Sequence, residues 1–206
     1  IRTAVKREAR ARREQDLAAA TQAASERLGD RLYSVIMADP PWRFEPRSRV
    51  TGLERSADNH YPTLTVDELK RIKPPAAENC ALFLWATAPM LVEALEVLKA
   101  WGFRYATHVV WSKDKLGTGY WFRSCHELLL LGIRGEVPAP AMGDQYASVI
   151  GAAVQAHSVK PGEFYEVVED MFPSQPLLEM FARTRRAGWD VWGNEVPAEP
   201  ERDAAA

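Results

Sequence analysis

Asp39-Pro40-Pro41-Trp42 follows the apolar run "VIMA" and concentrates more chemistry than any other stretch of this sequence. A carboxylate at a strand end accepts hydrogen bonds from an amino group. A proline carbonyl is held stiffly because the ring restricts φ, and it offers a second acceptor. An indole beside them stacks on a planar ring. Together the four residues suit an exocyclic amine on a flat heterocycle. A purely structural account also exists: Asp39 caps a turn, and the prolines end a strand that cannot continue without N–H donors.

Other chemistries lack their residues. Gly117 and Gly119 lie in a polar segment with no third glycine and no following helix, so no dinucleotide fingerprint is present, and no Walker loop appears either. His60, His108, His126 and His157 share no metal-ligand spacing with Cys80 and Cys125, and no metal is expected. Two distant cysteines form no disulfide framework. The first residues are charged, and no apolar run reaches the roughly 18 residues that span a bilayer. A reducing, cytoplasmic setting without a membrane is expected. The net charge of -2 excludes a strongly basic protein that coats nucleic acid unaided.

The elements that must position the motif are legible from periodicity. Residues 1–28 are rich in Ala, Arg, Glu and Gln and predict a polar, basic helical extension, either a solvated linker or an arm for phosphates. Continuous apolar runs at 32–38 and 81–87 predict strands buried on both faces; 105–113 and 126–135 predict two further strands, and "PLLEMFA" and "GWDVWGN" two short ones. Segments 90–102 and 160–172 have helical periodicity. Alternating strands and helices predict an α/β domain over 29–196 with a mainly parallel sheet, and the Pro- and Ala-rich 197–206 a disordered tail. Ligands bind beyond the carboxyl ends of such strands. Asp39, Thr87, Lys113 and Arg134, each at or just past a strand end, are therefore the first residues to consider. The polar segments 43–65, 114–124 and 136–158 are long for loops inside one domain.

"DPPW" directly after an apolar strand resembles the signature of adenine-N6 methyltransferases, in the branch typified by the seventy-kilodalton subunit of the eukaryotic mRNA adenosine methyltransferase. That family also has bacterial and phage members acting on DNA. The resemblance runs over 33–195 and is carried further by "NHYPTLTVDEL", "LFLWAT", "WGFRYATHVVWSK", "GTGYWFRSCHELLLLGIRG", "HSVKPGEFYEVVE" and "GWDVWGNE". It implies a Rossmann-like, S-adenosylmethionine-dependent enzyme, with helices on both faces of the sheet and a permuted order in which the catalytic motif comes first. It implies that Asp39, Pro40, Pro41 and Trp42 act on the adenine amine. Arg134, His157, Lys160, Arg183, Arg185, Arg186, Asn194 and Glu195, with Asp39, fall where the family holds its cofactor. Arg134 stands where lysine is common, and Arg185 and Arg186 stand where histidine and asparagine would be. Tyr61, Trp121, Arg123 and Glu127 fall near the acceptor base. Arg43, Arg47, Arg49 and Arg55 either bind phosphates or keep a polar segment soluble. DNA is expected ahead of RNA as substrate, and a second copy, a partner subunit and a non-catalytic role in a complex all stay open.

Overall fold

The computed structural model describes residues 30–43, 63–119, 121–155 and 159–193. The expected extension 1–28 and tail 197–206 lie outside the described residues, as do Tyr61, Arg47, Arg49, Arg55, His157, Asn194 and Glu195.

Seven strands form one sheet: β1 (Tyr33–Ala38), β2 (Ala76–Thr87), β3 (Arg104–Lys113), β4 (His126–Arg134), β5 (Val149–Ala152), β6 (Leu177–Met180) and β7 (Trp189–Trp192). Their spatial order is β5-β3-β4-β2-β1-β6-β7. All run parallel except β4, which pairs antiparallel with both β2 and β3. The first described strand thus lies inside the sheet, with the last two strands, β6 and β7, built onto one side of it. That is the permuted, motif-first arrangement.

Side chains alternate along the strands, and helices cover both faces. Ile36, Ala38, Leu82, Leu84, Leu128 and Leu130 face one layer with α1 (Val66–Arg71) and α2 (Leu91–Ala100). Val35, Met37, Phe83, Trp85, Trp111 and Leu129 face the other with α3 (Gly162–Met171). The short α1 forms because Thr65 and Glu68 cap its first turn reciprocally. The Trp101 indole N–H then donates to the Leu69 carbonyl at 2.8 Å, joining the end of α2 to α1.

Three elements depart from expectation. Helix α1 lies just past a segment read as loop, and β5 lies inside another such segment. Strand β5 is exposed at alternate positions and pairs only with the last residues of β3, so it lacks the apolar run that marks the central strands. Strand β2 starts five residues earlier than its apolar run, through the polar "AAENC".

Gly132 in β4 carries the packing between sheet and α2. A Cβ there would stand 3.0 Å from Leu98 Cδ1 and 3.0 Å from Phe103 Cβ. Gly132→Ala should destabilise the fold by about 1–3 kcal/mol. Urea titration should show a lower midpoint with an unchanged slope.

Candidate active site

The motif leaves β1 as a tight turn. Pro41 is the central residue of a three-residue turn in which the Trp42 N–H donates to the Pro40 carbonyl at 2.8 Å. The Leu64 N–H donates to the Pro41 carbonyl at 2.8 Å, and the Arg43 N–H to the Leu64 carbonyl at 3.0 Å. These bonds pin the chain after Asp39 to the segment that leads into α1. The Trp42 indole N–H donates to the Trp85 carbonyl at 3.0 Å, which anchors the ring to β2. Arg43 donates to the Thr63 side chain and carbonyl, so it braces this same turn.

Asp39 faces the α3 side, and three more charged groups meet it there. Lys160, two residues before α3, places Nζ 2.9 Å from Asp39 Oδ1 and 3.3 Å from Glu127 Oε2. Lys113, at the end of β3, places its Nζ 2.5 Å from Glu127 Oε1. The chain of charges reads Asp39, Lys160, Glu127, Lys113, alternating in sign and neutral in sum. Both ammonium groups lie over indoles, Lys160 over Trp85 at 5.2 Å and Lys113 over Trp111 at 4.4 Å.

Burial alone would lower the Lys160 ammonium, but Asp39 and Glu127 outweigh it and raise it above its ordinary value. Burial alone would raise the Glu127 carboxyl, but Lys160 and Lys113 hold it below the usual carboxylate range. Beside this cluster, Glu179, the last residue but one of β6, is a buried acid that accepts a 2.7 Å hydrogen bond from the Tyr165 hydroxyl. Burial pushes the Glu179 carboxyl up, and the charge of Asp39 adds to that.

The site lies where the strand order reverses: the chain passes from β1 to β2 on one side and reaches β6 on the other. That is where ligands bind in open α/β sheets.

Among the sequence-predicted residues the structure brings together Asp39, Lys160 and Glu127, with Lys113 completing the cluster. Arg134 is not brought to this cluster. Because β4 is antiparallel, Arg134 pairs with Cys80 while Glu127 pairs with Thr87, so Arg134 sits at the opposite end of the sheet. It donates to the Trp101 carbonyl at 2.5 Å and the Ala76 carbonyl at 3.3 Å and stacks on Phe103. Arg186 forks onto Glu169 at 2.5 and 2.8 Å and stacks on Tyr165. It therefore braces the loop between β6 and β7 against α3. Arg183 and Arg185 lie on that loop. It begins at Phe181, whose φ of 62° is rare for a non-glycine residue. Arg123 holds the Gly117 carbonyl at 3.0 Å, and Trp121 projects from the same segment.

The MT-A70 family model matches residues 33–195. The Type II methyltransferase M.MunI of Mycoplasma sp is 33% identical over 187 residues, 82% of this chain and 80% of that protein. The human N(6)-adenosine-methyltransferase catalytic subunit METTL3 is 30% identical over 175 residues, 80% of this chain but 28% of that protein. The Arabidopsis thaliana N(6)-adenosine-methyltransferase MT-A70-like is 31% identical over 175 residues and covered to 24%. This chain belongs to the MT-A70 family of adenine-N6 methyltransferases. It spans most of the bacterial relative and a minor part of the two eukaryotic ones.

Sequence reasoning passed over Glu179, Tyr165 and Trp85 of this MT-A70 chain. A lone acid in the otherwise apolar "LLEM" at a strand end was the available signal for Glu179. No helix among the described residues is long and apolar enough to cross a membrane.

Glu127→Gln leaves two buried ammonium groups facing an amide and should cost about 3 kcal/mol at neutral pH. The folded Glu127 carboxyl titrates below its ordinary 4.5. Its contribution is therefore complete above that value and disappears as pH falls through the folded value. The stability gap between the native chain and Glu127→Gln should stay constant from roughly pH 6 to 8 and shrink below roughly pH 4. Urea titrations across that range check it, and a gap independent of pH would assign the effect to shape instead of charge.

Proposed function

We propose that this chain transfers a methyl group from S-adenosylmethionine to the N6 amine of adenine in DNA. The observation that carries the proposal is the Asp39 carboxylate at the carboxyl end of β1, fixed between the Lys160 ammonium at 2.9 Å and the anchored Trp42 turn.

The residues suit the methyl donor. Lys160 has three N–H donors and uses two on Asp39 and Glu127, leaving one for a ligand carboxylate. The Trp85 indole N–H beside it is buried with no hydrogen-bond partner among the described residues, a donor that an anionic ligand end would satisfy. Glu179 near the end of β6 offers an acceptor for hydroxyl groups, with the 181–188 loop beyond it. Arg183, Arg185, His157, Asn194 and Glu195 are the further candidates that the family resemblance puts forward. When bound, the donor supplies an electrophilic methyl on a sulfonium.

The adenine amine is a poor nucleophile because its lone pair is delocalised into the ring. Asp39 accepts one of its N–H groups. The Pro40 carbonyl keeps one lone pair beyond the bond from the Trp42 N–H, and it accepts the other. The two acceptors turn the nitrogen lone pair out of conjugation and fix its direction. The Asp39 carboxylate also favours the positive charge that grows on nitrogen during transfer. Trp42, tied to the Trp85 carbonyl, walls or stacks on the base.

DNA is preferred because the bacterial relative that this chain nearly spans is named a Type II methyltransferase. Activity is preferred over a non-catalytic partner role because the acid and both prolines are intact.

Label transfer from S-adenosylmethionine to DNA should be measured beside Asp39→Ala, which should lose about 10²–10³-fold in kcat. Lys160→Met should weaken S-adenosylhomocysteine binding by about 10–100-fold in calorimetry, the worth of one hydrogen bond to a charged group. Label on RNA but not DNA would move the substrate to RNA, and no label above Asp39→Ala on either would leave the partner role.

A further inference from the structure

The described residues of segment 114–125, which joins β3 to β4, form a ribbon whose base adjoins Lys113 of the charged cluster. The Lys113 N–H donates to the Cys125 carbonyl at 2.8 Å, the Gly117 N–H to the Ser124 carbonyl at 2.6 Å, and the Ser124 N–H to the Thr118 carbonyl at 3.1 Å. Arg123 closes the ribbon from the side on the Gly117 and Leu116 carbonyls at 3.0 and 3.3 Å. A Cβ at Gly119 would overlap the Phe122 carbonyl.

This braced tip carries two adjacent aromatic rings in water. Trp121 is 87% exposed and Phe122 is 89% exposed. Scattered apolar side chains on a surface need no explanation. Two adjacent large rings held out on a hydrogen-bonded ribbon leave a large apolar area unburied, on the order of 150–250 Å² for each ring. The tip is close to the chemistry. Phe122 is three residues from Cys125, at most about 10 Å of chain. Cys125 is bonded to Lys113, and Lys113 leads through Glu127 and Lys160 to Asp39. The ribbon carries Lys115 and Arg123 against Asp114, whose carboxylate is occupied by the Val154 N–H at 2.8 Å. Exposed rings among cations suit bases among phosphates.

Resting on the DNA reading above, we propose that Trp121 and Phe122 form a wedge that enters the base stack beside the target adenine and holds the duplex open. In a duplex the adenine amine is paired and stacked, out of reach of Asp39. Extruding the base costs a few kcal/mol. Apolar side chains that slide between base steps offset that cost by filling the gap. The wedge explains why two large rings stand exposed on a hydrogen-bonded ribbon.

Two measurements test it, neither needing the target sequence. In the first, methyl incorporation is compared on duplex plasmid and on the same plasmid heat-denatured. Phe122→Ala and Trp121→Ala should each lower the duplex-to-denatured ratio by tenfold or more, and Phe122→Leu should restore most of it. In the second, closed circular plasmid is relaxed by topoisomerase with the protein bound, without donor. The native chain should shift the topoisomers toward unwinding, and the Trp121→Ala, Phe122→Ala double variant should not. Circular dichroism confirms that the variants fold. An unchanged ratio together with an unchanged topoisomer shift overturns the wedge. So does an equal loss on both DNA forms accompanied by dissociation of an oligomer in sedimentation, which assigns the tip to a protein contact. A topoisomer shift without label on any DNA keeps the wedge and overturns the methylation reading alone.

Discussion

The Lys160 ammonium, buried between two carboxylates, is the interaction on which the site depends. A buried ammonium without partners costs several kcal/mol. Lys160 is only 11% exposed in its side chain, and it meets Asp39 and Glu127 together. Glu127 is only 15% exposed in its side chain, and one lysine does not satisfy both of its oxygens. Lys113 takes the second. The requirement therefore propagates from one charge to the next, and with it from the approach to α3 to the end of β1, the start of β4 and the end of β3. Electrostatics at one edge of the sheet fixes the relative placement of four elements that apolar packing alone would hold less specifically.

Strand β4 is what makes this closure geometrically available. Parallel strands deliver only their carboxyl-terminal residues to the ligand edge. An antiparallel strand delivers its first residues instead, which is how Glu127 arrives beside Thr87 and Trp111. The same reversal carries Arg134 to the far edge, where it fastens β2 and the end of α2. One change of direction thus sends the charges of a single strand to opposite ends of the sheet, Glu127 to the candidate site and Arg134 away from it. It also raises the 114–125 ribbon on the ligand side of the sheet, since the reversal has to occur there.

How much of this was legible follows from what sequence patterns encode. The central strands were readable because burial on both faces writes continuous apolar runs, and the site motif because a strand end with Asp-Pro-Pro-Trp has few structural uses. Strand direction leaves no comparable trace. Segment length does not supply it: 114–125 reverses the chain, whereas the shorter 181–188 joins the parallel β6 and β7. Helix α1 was passed over because it is six residues of mostly polar sequence, although its Thr65 and Glu68 capping pair was in view. Glu179 and Tyr165 were missed because their importance lies in each other and in Asp39, and that proximity is made only when β6 docks against β1 and α3 packs above.

The two prolines of the motif solve a problem that any acceptor site at a strand end must face. An acceptor aimed at a ligand is a polar group that finds no partner within the sheet, and backbone free enough to reach the ligand is free enough to turn away. Pro40 and Pro41 contribute no N–H that would need a partner, so the turn leaves few donors to satisfy. Pro41 sits at the centre of the three-residue turn, where its restricted φ is close to what that turn demands. The Trp42 N–H occupies one lone pair of Pro40 and thereby orients the other. The Trp42 ring, tied by its own N–H to the Trp85 carbonyl, carries the constraint across to β2. Two acceptors and a flat wall are then fixed to two adjacent strands before any ligand arrives. For the proposed reaction, whose main difficulty is the direction of one lone pair, that rigidity is what the fold would contribute.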